Sequence, residues 1–214
     1  MVAVASNFIK PMKDLSKRYE EFSNQSITVI SGSSAKLMAQ IKQGAPYDLF
    51  FSADQEKVSQ LIEYGLADTA SRQKYAKGRL VLWSKACLRQ TNMPEQTSYQ
   101  RLINKEFKYL AIANPTLAPY GRAAVESLKS LGLYNSLKGK LVYGENIAQT
   151  FQFVYSANSD LGLVALSQFN DVVSSSKGTV TTDTLRAQAQ TKQTQTTHNL
   201  ITDNFDSEIN LFLH

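Results

Sequence analysis

A single cysteine, Cys87, stands in a chain of 214 residues, so no disulfide can form within it. A lone cysteine following a strand reads as a small buried hydrophobe. Histidine is nearly as scarce. The two present, His198 and His214, both lie close to the C-terminus. The rest of the chain therefore offers no imidazole base for a Ser-His-Asp or Cys-His site, and no cluster of Cys and His to hold zinc. Asp48 and Asp54 are near in sequence, but one opens a strand and the other caps a helix, which does not suit a paired acid and base. No phosphate loop of the Gly-x-x-x-x-Gly-Lys-Ser/Thr type is present. Together these absences argue against an enzyme. No apolar run approaches the roughly 20 residues that a membrane-crossing helix needs. No basic segment followed by an apolar one precedes Val2, so no signal peptide is visible, and the start taken alone points to the cytoplasm.

What is present is an ordinary globular composition, 43% hydrophobic and 19% charged, in a chain long enough for one large domain or two small lobes. The net charge of +5 comes from lysines and arginines spread along the chain (Lys10, Lys13, Lys17, Arg18, Lys36, Lys42), which reads as a solvated surface and not as a nucleic-acid face. A mild positive field also favours encounter with a small anion.

Strand and helix signals alternate. Val2–Ser6 reads as a buried strand. Phe8, Met12, Leu15, Tyr19 and Phe22 follow at helical spacing, which predicts an amphipathic helix with this stripe inward. Ser26–Ile30 predicts a strand. Ser31-Gly32-Ser33-Ser34 is a turn opening a helix with Leu37 and Ile41 inward. Gly44 and Pro46 end that helix, Asp48–Ser52 is a strand, and Asp54 caps the next helix. Strands are also expected at 79–84, 109–113, 141–143 and 161–166, with helices at 121–131 and 147–155. Such alternation implies parallel strands joined by helical crossovers. Near Val173 the character changes. Residues 179–198 hold eight threonines and four glutamines, which by composition is linker or disorder, and 204–214 reads as a short helix.

Three loops between a strand and a helix carry hydroxyl or amide residues: Ser6-Asn7, Ser33-Ser34 and Tyr120-Gly121. In a parallel sheet such loops lie at the carboxyl ends of the strands, where ligands bind. Helix N-termini add free N–H groups and a partial positive charge that suit anions. Each residue also has a plainer reading. Ser33, Ser34 and Asn7 read equally well as helix caps, and Tyr120 as a core aromatic.

The landmarks Ala5-Ser6-Asn7-Phe8, Ser31-Gly32-Ser33-Ser34, the stretch Gln40–Asp54, Asn114-Pro115, Ala118-Pro119-Tyr120-Gly121, Gly144-Glu145-Asn146-Ile147 and Leu161-Gly162-Leu163-Val164 stand in an order that resembles the periplasmic molybdate-binding proteins of ABC importers. The likeness runs from Val2 to about Phe169. It implies an α/β, two-lobed periplasmic-binding-protein type II fold with mostly parallel sheets and a ligand cleft. Lobe one would be 1–80 plus about 167–214, and lobe two 81–166. It also implies binding of molybdate or tungstate without a cofactor, through Ser6, Asn7, Ser34, Tyr120 and the backbone N–H of Ile147, with no direct metal ligands. Some members place a tyrosine on the return strand; here that position is Ala165, and Tyr120 stands in the other loop. Delivery to an inner-membrane permease, a periplasmic location and a monomeric state follow from the same resemblance. The missing signal peptide then fits a mature chain with an added Met, or a start codon set too late. Residues after about Val173 match nothing in the family, which leaves open a frame shift near Lys177 or a natural truncation with an unrelated ending. The alternatives are a receptor for sulfate or another oxyanion and the effector-binding domain of a transcriptional regulator. The latter would need a helix-turn-helix, and none precedes Val2.

Overall fold

The computed structural model describes residues 1–85, 98–175 and 204–211. Cys87, both histidines and the Thr/Gln-rich stretch 179–198 lie outside the described residues. β1 (Val2–Ala5) passes through a short 3-10 turn, Ser6–Phe8, into α1 (Ile9–Ser23). β2 (Val29–Gly32), α2 (Ser34–Lys42), β3 (Leu49–Ser52) and α3 (Gln55–Glu63) follow, then the long strand β4 (Arg72–Trp83). Next come α4 (Ser98–Asn104), β5 (Leu110–Ala113), α5 (Pro119–Ser130), α6 (Tyr134–Leu137), β6 (Leu141–Gly144), α7 (Ile147–Tyr155), β7 (Leu161–Ala165), α8 (Leu166–Ser175) and β8 (Asn204–Leu211).

The strands form one sheet in the order β2-β1-β3-β8-β4-β7-β5-β6. β1 pairs in parallel with β2 and β3, and β5 in parallel with β6 and β7. Among the described strands β1, β5 and β7 are wholly buried, Val-Ala-Val-Ala, Leu-Ala-Ile-Ala and Leu-Gly-Leu-Val-Ala, because each is flanked on both edges and covered by helices. β4 links the two halves. Its residues Arg72–Arg79 pair antiparallel with β8, and Leu80–Trp83 pair antiparallel with β7. The parallel units thus fold as expected, with helical crossovers supplying the length that parallel pairing demands.

Local punctuation sets the element ends. Gly44 follows α2 with φ +86°, a left-handed conformation that a side chain would strain. Asp54 caps α3, its carboxylate accepting the N–H of Lys57 at 3.0 Å. Phe50 on β3 is fully buried among Leu37, Ile41 and Leu61, burial worth about 1.5–3 kcal/mol for one such side chain.

Three expectations need correction. The apolar stripe of α1 is inward only at its start: Met12 is buried and Phe8 stacks on Phe51 and meets Tyr75 edge-on. Leu15, Tyr19 and Phe22 are exposed, Phe22 at 89%. The far part of α1 stands off the sheet and leaves an open groove between Leu15 and Tyr19 on one side and Ile27 and Leu49 on the other. β4 starts at Arg72 and not at 79. Its first half is polar and gives no apolar alternation, but backbone pairing with β8 holds it extended, with an irregularity between Lys74 and Ala76. Finally, 204–211 is a strand and not a helix. It fills the position between β3 and β4, where two ladders satisfy its backbone.

Candidate functional site

The carboxyl ends of β1, β2, β5 and β6 point to one place, and the helices that follow them start there. Ser6 and Asn7 form the turn after β1, and Ser33 and Ser34 open α2 after β2. Pro119 and Tyr120 begin α5, and Asn146 and Ile147 begin α7. All of these residues line one small cavity whose wall contains no charged side chain. The five residues singled out from the sequence, Ser6, Asn7, Ser34, Tyr120 and Ile147, therefore meet in space although they come from four loops. The larger groove under α1 lies away from them and is mostly apolar.

Close approach of backbone makes this convergence possible. A Cβ at Gly121 would sit 2.3 Å from the carbonyl oxygen of Ala113, so only glycine lets α5 start so close to the end of β5. Pro119 stands in the first turn of α5, where its missing N–H costs nothing. Asn146 caps α7 by accepting the N–H groups of Ala148 and Gln149, both at 3.0 Å. The N–H of Ile147, the first of the helix, has no intrahelical acceptor by construction of an α-helix. Ser6 Oγ approaches the N–H of Ala148 at 3.4 Å, which ties the β1 turn to the start of α7.

Asn7 makes no cap bond to either helix beside it, and its Oδ1 is buried without a hydrogen-bond partner. Ser33 occupies the cap position of α2 but makes no cap bond, and its buried Oγ is likewise unpaired. Ser34 Oγ accepts the N–H of Ala53 at 3.0 Å, which leaves its own O–H to donate. Two buried unpaired oxygens at one small cavity are unusual, since such groups cost about 1–3 kcal/mol each when left without partners. Tyr120 satisfies both readings. Its ring belongs to the core formed with Leu110, Ile112 and Leu163, while its hydroxyl oxygen accepts from the side-chain amide N–H of Asn7. Burial pushes its phenol well above the ordinary value, against the pull of the Asn7 bond, so it stays protonated as a neutral donor. Ser33 stands outside the five residues expected from the sequence, although its place beside Ser34 in the same hydroxyl-bearing loop is the signal for it.

Around the cavity, the two halves of the sheet touch directly. The N–H of Ala35 donates to the carbonyl of Leu117 at 3.2 Å. Lys36 Nζ meets Glu145 at 2.8 Å. Arg122 reaches Glu56 at 2.5 Å and also bonds Asp54. Among the described residues, no group of three or more His, Cys, Asp or Glu side chains is placed to hold a metal ion, and no helix is long and apolar enough to cross a membrane.

Two α/β halves meeting at a small cavity of helix starts form the two-lobed fold of solute-binding proteins. The chain belongs to the bacterial extracellular solute-binding protein family, whose model matches residues 1–206. It is 43% identical over 169 residues to the molybdate-binding protein ModA of Azotobacter vinelandii and 37% identical over 168 residues to that of Rhodobacter capsulatus. Each match covers 78% of this chain, and the chain spans 64% of the length of each relative. The solved structure of the Azotobacter vinelandii periplasmic molybdate-binding protein superposes with a TM-score of 0.70 at 35% identity, over 77% of this chain and 70% of that one. These relatives are binding proteins by name.

Proposed function

We propose that the chain binds molybdate, and tungstate as well, in the cavity between Ser6, Asn7, Ser34, Tyr120 and Ile147, and passes it to the membrane permease of an ABC importer. In this reading it works in the periplasm as a monomer and needs no cofactor. Lobe one comprises 1–80 with the part from about 167 onward, and lobe two 81–166. The observation that carries the reading is the convergence of four helix starts and several buried hydroxyl and amide groups on a cavity without a charged wall. A dianion moved out of water needs many donors. Helix N-termini and neutral O–H and N–H groups supply them, and each hydrogen bond to a charged partner contributes about 1.5–3 kcal/mol. The unpaired Oγ of Ser33 lies in the same wall and joins the donor set. The relatives at 43% and 37% identity, both molybdate-binding proteins, support the choice of anion.

Thermal unfolding with added anion tests this. Molybdate at about 100 times its dissociation constant adds about 2.7 kcal/mol, or a rise of about 5–10 °C in Tm for a chain of this size. Sulfate at the same concentration should shift Tm far less. An equal shift with sulfate would transfer the assignment to a general oxyanion receptor. No shift with either anion would overturn it.

A further inference from the structure

Among the described residues, a forked ion pair and a single one cross from one side of the cleft to the other without entering the cavity. Arg122, one turn into α5, forks onto Asp54 and Glu56 at the start of α3, 68 and 66 residues away in sequence. Lys36 in the first turn of α2 meets Glu145, which precedes the α7 cap. In each case the charged residue stands within two positions of a residue lining the cavity: Arg122 beside Tyr120, Asp54 beside Ala53, Lys36 beside Ser34, Glu145 beside Asn146. The two pairs differ in shelter. The side chain of Asp54 is 13% exposed and that of Arg122 35%, while Glu56, the outer arm of the fork, is 52% exposed; Lys36 and Glu145 are 55% and 42% exposed. Asp54 is also held in place as the α3 cap and by Lys57, so its carboxylate is fixed before Arg122 arrives. Lys57 and Arg122 both hold the Glu56 carboxyl below its usual range, which keeps it charged.

We propose that Arg122 is the clasp of the cleft. It touches no ligand; it holds the two halves closed over the anion by bridging Asp54 and Glu56, and thereby sets how fast the anion leaves. Lys36–Glu145 is a weaker second clasp. The proposal deepens the oxyanion reading and rests on it for its ligand. Opening of the cleft must break the Arg122 fork, whereas capture from solution occurs before the fork forms. The clasp therefore acts on dissociation, as most affinity differences between related complexes do. An exposed pair such as the Glu56 arm contributes little, but the arm on the preset, sheltered Asp54 carboxylate contributes more.

The test compares the full chain with Arg122→Gln and, from the other side of the cleft, Glu56→Gln. Molybdate dissociation is followed by stopped-flow displacement, and the radius of gyration of the unliganded proteins is read by small-angle X-ray scattering. The expected result is a rise in dissociation rate of about three- to tenfold for Arg122→Gln, less for Glu56→Gln, and a smaller combined effect in the double variant than the product of the two. The unliganded Arg122→Gln protein should be larger in radius, with an unchanged circular dichroism spectrum. Dissociation and radius both unchanged, in a protein that binds molybdate, would overturn the clasp. If the natural chain bound no molybdate but Arg122→Gln still expanded it, the clasp would stand and the choice of anion would fall. Should Arg122→Gln lose its fold, Arg122→Lys, which keeps the charge but cannot fork onto both carboxylates, carries the same comparison, and its unchanged dissociation rate would overturn the proposal.

Discussion

Replacing Tyr120 by Phe removes one oxygen and keeps the ring. The ring packs with Leu110, Ile112 and Leu163 in the main core and is 3% exposed, so its packing should survive. The hydroxyl bonds with Asn7 at the cavity wall. In the unliganded protein its loss forfeits one neutral hydrogen bond, about 0.5–1.5 kcal/mol of stability. With an anion bound, the lost bond is to a charged acceptor and is worth about 1.5–3 kcal/mol, or about 10- to 150-fold in dissociation constant. Calorimetric titration with molybdate beside a urea melt separates the two effects. Unchanged affinity in Tyr120→Phe would refute a ligand role for the hydroxyl and leave Tyr120 as a core residue. The pH dependence gives a second arm. Burial raises the folded-state pKa of this phenol above its ordinary value of 10.0. Its contribution to stability is therefore complete below pH 10 and is lost as pH rises beyond it, at about 1.4 kcal/mol per pH unit for one group. Alkaline melts should fall more steeply above pH 10 in the natural chain than in Tyr120→Phe. Parallel curves would show that the buried phenol is not the cause.

Two other substitutions probe the same wall. Ser33→Ala removes a buried hydroxyl that has no partner, so the unliganded protein should gain about 1 kcal/mol in a denaturant melt while molybdate binding weakens about tenfold or more; lower stability with intact affinity would make Ser33 a structural cap after all. Gly121→Ala places a methyl 2.3 Å from the Ala113 carbonyl oxygen and should cost about 1–3 kcal/mol of stability together with affinity, because the start of α5 has to move; a variant that crystallises with α5 unmoved and binds normally would contradict this.

How far the sequence leads depends on the range of the interaction concerned. The stretch from Gln40 to Asp54 was readable because each of its signals is local. Gly44 supplies a left-handed φ, Pro46 blocks a restart, and the Asp54 carboxylate reaches an N–H three residues on. The cavity residues were readable as strand-end loops, and the resemblance placed them in one site; the spacing of Ser6, Ser34, Tyr120 and Ile147 in the chain carries no such information. The failures involve partners distant in sequence. Leu15, Tyr19 and Phe22 have a helical stripe, but whether a stripe is buried depends on what lies opposite, and here the sheet turns away. The first half of β4 and the strand β8 extend each other through backbone bonds, which leave no trace in side-chain pattern. Arg122 and Glu56 stand 66 positions apart, and nothing about either residue announces the other.

A wall of neutral donors sorts anions by dimension. A lysine or arginine in the cavity would attract any dianion to nearly the same degree, since Coulomb attraction declines slowly with separation. Hydrogen bonds from fixed N–H and O–H groups lose most of their worth within a few tenths of an ångström and with modest misalignment. In the oxyanion reading proposed above, the narrow cavity, bounded by helix starts that the sheet and the close approach at Gly121 hold in place, would act as a gauge for bond length. Tetrahedra of the same charge but shorter bonds would rattle among donors they cannot all reach, and the difference would show as selectivity without any counter-ion to enforce it.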